Sequence, residues 1–285
     1  MKHNHLIICL IFVSLLLSSC TSSSTNENTA VSSEASKTEF PSSAAASPAP
    51  AASAPTASPD PTPELKETAD VTKPDFLYRM SEAYRFVPIE ANTPDKVVLL
   101  TFDDGPKDLD VLTSLLDTLD QHNAKAIFFV NGYRVKQNPD LLTIIHERGQ
   151  TIGNHSWDHI NLKEEKQDVV EKQLNDVQTA VQALIGTKPI FFRPPYGSGS
   201  DLVKKIAKDH GMLYMTWSNG SLDWDKSAKD KPEVVIKNVM DQLHPGANIL
   251  MHELKWTAEG LDELLTKLEN KGYGFIDPSS IKLNP

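Results

Sequence analysis

Cysteine is nearly absent: the 285-residue chain has two, Cys9 and Cys20. Everything after residue 20 therefore lacks a thiol for a disulfide or a thiolate zinc site. Any metal there must be held by histidines and carboxylates. Basic charge is also short, with 28 Lys and Arg against 38 Asp and Glu, a net charge of -10, and no Lys/Arg-rich block. Nucleic-acid binding, which needs a basic face to neutralise phosphates, is not expected. The apolar stretch at residues 6–17 falls short of a membrane-spanning helix, which needs about 20 residues.

What is present divides the chain into four parts. Lys2, the apolar stretch and the closing Leu17-Ser18-Ser19-Cys20 resemble a bacterial lipoprotein signal peptide over residues 1–20. Cleavage would leave Cys20 as a lipid-carrying N-terminus, and Cys9 would be lost with the signal. The expected location is extracytoplasmic, anchored to the cell membrane through Cys20; the alternative is an ordinary secretory signal with an incidental cysteine. Residues 21–70, rich in Ser, Ala, Thr and Pro, show no helical or strand periodicity and read as a disordered tether. Such a chain spans about 40 Å on average. Residues 71–95 read as a lead-in that wraps onto the domain, and residues 96–285 as the domain itself, which is expected to be monomeric.

Beyond Lys96, short β-rich apolar runs alternate with longer amphipathic segments. Strands are predicted at 97–102, 126–130, 151–154, 190–193, 213–217, 248–252 and 273–276. Helices are predicted at 109–122, 139–148, 164–184, 201–209, 232–243 and 258–270, several closed by a glycine: Gly149, Gly186, Gly211 or Gly272. Seven strands with outer helices suggest an α/β fold, a (β/α)7 barrel with its chemistry at the strand C-terminal ends. An open doubly wound sheet fits the same periodicity.

Five motifs follow predicted strands: TFDDGP at 101–106, HSWDH at 155–159, RPPYG at 193–197, SLDW at 221–224 and LMH at 250–252. His155 and His159 stand four apart, so a helical turn would put both imidazoles on one face, with Asp104 as third metal ligand. Two imidazoles and one carboxylate leave a position open, as in a catalytic metal site. Zinc, cobalt and nickel all suit that donor set. Two adjacent carboxylates are more comfortable when a cation holds one, which leaves Asp103 as general base.

Arg193 can orient Asp103 through a charge-assisted hydrogen bond. The rigid Pro194-Pro195 pair presents the Tyr196 amide toward an oxyanion. His252, beside Asp223, reads as a general acid kept protonated by that carboxylate. Tyr196, Trp224 and Leu250 can line a small apolar pocket, and each also suits ordinary core.

In this order and spacing the motifs resemble the polysaccharide deacetylase family with the NodB homology domain, carbohydrate esterase family 4, over roughly residues 96–276. The resemblance implies a distorted (β/α)7 barrel. It implies Asp103 as base, with Asp104, His155 and His159 as metal ligands. Arg193 then tethers the base, the Tyr196 amide faces the oxyanion, Asp223 with Trp224 forms the fourth motif, and Leu250 with His252 the fifth. The implied activity is metal-dependent removal of N-acetyl groups from an N-acetylglucosamine-type polymer, with cell-wall peptidoglycan as the expected glycan. Two alternatives remain: an O-acetyl (xylan) esterase of the same fold, and an inactive wall-binding lipoprotein. The chain departs from the family pattern at Gly220, where an aspartate is frequent, at Ile160, and at Glu253.

Overall fold

The structure, a computed structural model, describes residues 76–283. The predicted signal peptide with Cys20, the tether and the start of the lead-in lie outside the described residues. Two short strands open the described part, β1 (Tyr78–Met80) and β2 (Phe86–Pro88). The main repeat then runs β3 (Val97–Gly105), α1 (Leu109–Gln121), β4 (Ala126–Val130), α2 (Gly132–Gln137), α3 (Pro139–Glu147), β5 (Thr151–Asn154) and α4 (Gln167–Ile185). It continues with β6 (Phe191–Phe192), α5 (Asp201–Asp209), β7 (Leu213–Tyr214), β8 (Asn219–Gly220), α6 (Pro232–Asp241), β9 (Ala247–His252) and α7 (Lys255–Asn270). β10 (Gly274–Phe275) and β11 (Ile281–Lys282) complete it.

The main sheet has the order β7-β6-β5-β4-β3-β9-β8, and its ladders are parallel. From β3 the strands step outward in sequence to β7, while β8 and β9 close on the other side of β3. This is the cyclic order of a seven-strand barrel with a seam between β7 and β8, not the order of a doubly wound sheet. Residues 215–218 cross the seam. Met215 N–H donates to the Phe192 carbonyl and Ser218 N–H to that of Asn248. The Arg193 and Asn248 side chains both donate to the Thr216 carbonyl, at 2.8 and 3.0 Å.

Two strand expectations need correction. The predicted strand at 213–217 stops at Tyr214 because the chain leaves the ladder to bridge the seam. The seventh stave is β8, whereas the segment predicted at 273–276 pairs as β10 with the start of β3. The helix α2 and the small sheet β11-β1-β2 were not expected from the sequence; elements of two to six residues are too short to display a period. The four glycines predicted to close helices all adopt left-handed backbone, with φ of 69° to 79°.

Strand alternation explains how the site is aimed. Val98, Leu100 and Phe102 pack outward with helix residues such as Leu112, Leu116 and Leu265. Leu99 faces the barrel interior with Ile127, Phe129 and Phe191, where Phe86 and Ile281 of the small sheet join the same cluster. By the same period of two, Thr101 and Asp103 point inward, as do Asn248, Leu250 and His252 of β9.

Candidate active site

Strict alternation would send Asp104 away from the interior. A register shift against β4 between Asp103 and Gly105, with left-handed backbone at Asp104 (φ 69°), turns its side chain into the same cleft as Asp103. Glu253 secures the following turn: its Oε1 accepts the amides of Lys107 (2.7 Å) and Asp108 (2.9 Å). A Cβ at Gly105 would stand 2.5 Å from Glu253 Oε2, so any larger residue there would displace that carboxylate. Burial pushes the Glu253 carboxyl above the usual carboxylate range, against the pull of those two amides.

Asp103 is 3% exposed and takes a 2.7 Å bond from Arg193 Nη1. Arg193 is fully buried and also donates to Thr101 Oγ1 at 2.7 Å and Asn248 Oδ1 at 3.1 Å. Its guanidinium lies 4.4 Å from the Phe129 ring centre. Burial draws the Arg193 pKa down and Asp103 draws it back only in part; an arginine remains charged nonetheless.

His155 and His159 meet Asp104, but not on a helical turn as their spacing suggested. Residues 155–159 form a loop with left-handed backbone at Ser156 (φ 65°) and His159 (φ 56°). Asn131 Nδ2 holds it through the His155 carbonyl at 2.8 Å, and Ser156 N–H donates to Asn154 Oδ1 at 2.9 Å. His155 Nε2 lies 3.4 Å and His159 Nε2 3.1 Å from Asp104 Oδ1. The ligand atoms of all three fall within 4.8 Å of one another.

The donor set fits a divalent cation. His155 Nδ1 stands 2.7 Å from the Arg193 carbonyl, so this nitrogen carries the proton and Nε2 offers a lone pair. Asp104 Oδ1 is buried without a hydrogen bond. Burial opposes charge on Asp104; proton-bearing imidazoles at His155 and His159 would lower its carboxyl well below the usual range by hydrogen bonding and charge, a counterweight missing when both Nε2 atoms present lone pairs. A carboxylate oxygen facing imidazole lone pairs is a site that a metal relieves.

Across the cleft, Asp223 is fully buried. Its Oδ1 lies 2.7 Å from His252 Nδ1, and its Oδ2 accepts the His252 amide and the Thr257 hydroxyl, each at 2.7 Å. Trp256 Nε1 donates to the Asp223 carbonyl at 2.7 Å. Burial disfavours charge on His252, but the bond to Asp223 and the charges of Asp223, Asp103 and Asp104 outweigh it and raise its pKa.

The cleft, of about 390 Å³, brings together Asp103, Asp104, His155, His159, His252, Tyr196, Trp224 and Leu250. Leu250 is buried, whereas Tyr196 and Trp224 are 65% and 46% exposed and form the mouth rather than core. Tyr196 has left-handed backbone (φ 60°, ψ 10°), and its ring meets His159 edge-on at 4.7 Å. Gly220 lies in β8 opposite Leu250, its peptide held by Gln242 at 3.3 and 2.8 Å. Sequence reasoning gave no role to Gly197 or Trp217 in the lining, nor to Thr101, Asn248, Glu253, Trp256 and Thr257 behind it. For Trp217 a signal existed: a tryptophan seven residues before Trp224 at the end of a predicted strand.

Comparison with known proteins agrees with this arrangement. Residues 90–215 match the family profile described as polysaccharide deacetylase. The chain is 38% identical over 200 residues to the peptidoglycan-N-acetylglucosamine deacetylase PgdA of Listeria monocytogenes, covering 67% of this chain and 41% of that protein. It therefore spans about two fifths of the length of that relative. It is 33% identical over 186 residues to the peptidoglycan-N-acetylmuramic acid deacetylase PdaA of Bacillus subtilis, covering 65% of this chain and 70% of PdaA. The crystal structure of BA3943, described as a CE4 family pseudoenzyme from Bacillus anthracis, superposes with a TM-score of 0.61 at 36% identity, covering 64% of this chain and 63% of that one. With the five motifs gathered at one end of a seven-strand barrel, the chain belongs to the polysaccharide deacetylase family.

Proposed function

We propose that this protein is a metal-dependent hydrolase that removes N-acetyl groups from an N-acetylglucosamine-type polysaccharide, with cell-wall peptidoglycan as the glycan. One observation carries the reading. A buried carboxylate on a guanidinium, Asp103 on Arg193, and a histidine on a buried carboxylate, His252 on Asp223, line the same cleft as the Asp104, His155 and His159 cluster.

Asp104, His155 and His159 would hold the ion, with zinc, cobalt and nickel all compatible. When bound, the ion supplies Lewis-acid polarisation of a carbonyl and lowers the pKa of water. Asp103, oriented by Arg193, accepts a proton from the water that attacks the acetyl carbon. The Tyr196 amide, set by its left-handed backbone, stabilises the developing oxyanion. His252, kept protonated by Asp223, donates to the nitrogen as the C–N bond breaks, so acetate and a free amine leave. Leu250, Trp224 and Tyr196 enclose the acetyl methyl.

The two named deacetylase relatives support peptidoglycan as the polymer, one on N-acetylglucosamine and one on N-acetylmuramic acid. Anchorage outside the cell through Cys20 belongs to the same proposal, on the strength of the sequence at 1–20. A lipid label on the mature protein that Cys20→Ser fails to abolish would overturn it.

Resemblance to a pseudoenzyme favours a second reading, an inactive wall-binding protein. Against it, every position that the mechanism uses is filled by a competent residue. Acetate release from N-acetylglucosamine oligomers and from acetylated xylan, with and without chelator, tests all three readings. Chelator-sensitive release from the oligomers is expected. Preference for xylan would make the protein an O-acetyl esterase, and glycan binding without release would make it a binding protein.

A further inference from the structure

Trp217 enters no step of the mechanism, yet it lines the cleft and two glycines flank it. A Cβ at Gly197 would stand 2.8 Å from its six-membered ring, and Gly197 is itself left-handed (φ 63°). At the other end, Gly220 brings no side-chain acceptor to the indole nitrogen: a Cβ there would stand at ordinary contact distance, 3.6 Å from Nε1, and a polar group beyond it could reach that nitrogen. The ring meets Trp224 edge-on, with centres 6.5 Å apart.

An indole N–H is a donor with no acceptor function, and a buried one normally has a partner. Trp256 illustrates this, donating to the Asp223 carbonyl at 2.7 Å. Trp217 Nε1 has no acceptor among the described residues, nor is it one of the buried polar atoms left without a partner, so it opens to solvent. A donor placed at the cleft wall between Gly197 and Gly220 and left without a protein acceptor suits an acceptor brought by the ligand.

We propose that Trp217 is a specificity-determining residue whose indole N–H donates to a hydroxyl of the bound sugar, and that Gly220 keeps this donor available. The inference rests on the glycan reading of the cleft given above. Gly220 lies opposite Leu250 in the β8–β9 ladder, which brings the donor to the wall of the acetyl pocket. The acetyl oxygen is already assigned to the Tyr196 amide, and among the acceptors left on the sugar the hydroxyls are more numerous and accept more strongly than the ether oxygens.

Two measurements test it. In the first, the metal-free protein is labelled with 15N, and the indole N–H signals of its four tryptophans are followed as tetra-N-acetylchitotetraose is added. The Trp217 signal, assigned through Trp217→Phe, should move strongly, and that of Trp256, already bonded inside the protein, should stay. A still Trp217 signal beside a moving Trp224 signal overturns this inference alone. If no indole signal moves, the inference falls together with the glycan reading.

The second measurement is kinetic. Loss of one neutral hydrogen bond should raise KM for the oligomer roughly threefold to tenfold in Trp217→Phe, with kcat little changed. Gly220→Asp, which offers the indole an internal acceptor, should raise KM similarly. Gly220→Ala has space, since its nearest neighbours would lie 3.6 to 3.9 Å away, and should match the parent. An unchanged KM in both Trp217→Phe and Gly220→Asp overturns the proposal, as does an equal rise in Gly220→Ala and Gly220→Asp.

Discussion

Asp103 and His252 each rest on a fully buried charged partner, but different parts of the molecule hold those partners. Arg193 belongs to the barrel: its donors engage Thr101 on β3, Asn248 on β9 and the Thr216 carbonyl in the seam. Asp223 sits in a loop and is held by the first turn of α7, through Thr257 and Trp256, and by the His252 amide. The Asp103 side is thus part of what closes the barrel, and damage there should reach stability as well as activity. The His252 side hangs on a loop-to-helix contact, so it should be adjustable with less effect on the fold.

The largest effect should come from Asp103, the proposed base. Asp103→Asn should lower kcat by about 10²- to 10⁴-fold, the usual contribution of general acid–base catalysis. Metal content measured by atomic absorption should be unchanged, because Asp104, His155 and His159 are intact. Loss of metal in that variant would make Asp103 a ligand and break the division between the paired aspartates.

Next in size is Arg193→Met. It leaves Asp103 buried without its partner and the Thr216 carbonyl with one donor fewer, so denaturant unfolding should show a loss of about 3–5 kcal/mol besides lost turnover. A stable, inactive variant would show that the barrel does not depend on the Arg193 network. On the His252 side, Thr257→Val removes one hydrogen bond to Asp223. Here kcat should fall several-fold at constant KM and stability by about 1 kcal/mol, with Thr257→Ser restoring both. A stability loss matching that of Arg193→Met would erase the contrast between the two sides.

The smallest effect is on pH dependence. His252 has its folded pKa raised, so the stability that it contributes is fully present below the unfolded value, about 6.5. It is lost as pH rises through the folded value. Unfolding free energy should therefore decline with pH across that window, and His252→Gln should flatten the decline. The alkaline limb of the rate profile should fall in the same window, since only the protonated imidazole can act as acid. A decline unaltered in His252→Gln would assign the titration elsewhere.

Much of this was legible in the chain. The strands at 126–130 and 151–154 and the helix at 201–209 match their predicted bounds, because buried parallel strands and amphipathic helices carry strong local patterns. The candidate metal cluster was legible in composition but not in conformation. His155 and His159 suggested a helical turn, whereas a loop with two left-handed residues brings them together, and no residue type there announces such backbone. Thr257 and Trp256 had no signal, since their role depends on a loop more than 30 residues earlier in the chain.

By itself the amino-acid sequence determined which chemical groups are available: two imidazoles and a carboxylate for a cation, a carboxylate with its arginine, and a histidine with its aspartate. Motif spacing after short apolar runs also determined that they gather at one end of parallel strands. Only the tertiary structure decided how they meet. The bulge that turns Asp104 inward, the seam bridged through Arg193 and the open indole of Trp217 between two glycines arise from contacts between residues distant in the chain. Such contacts obey the space left by closing the barrel, which no local pattern records.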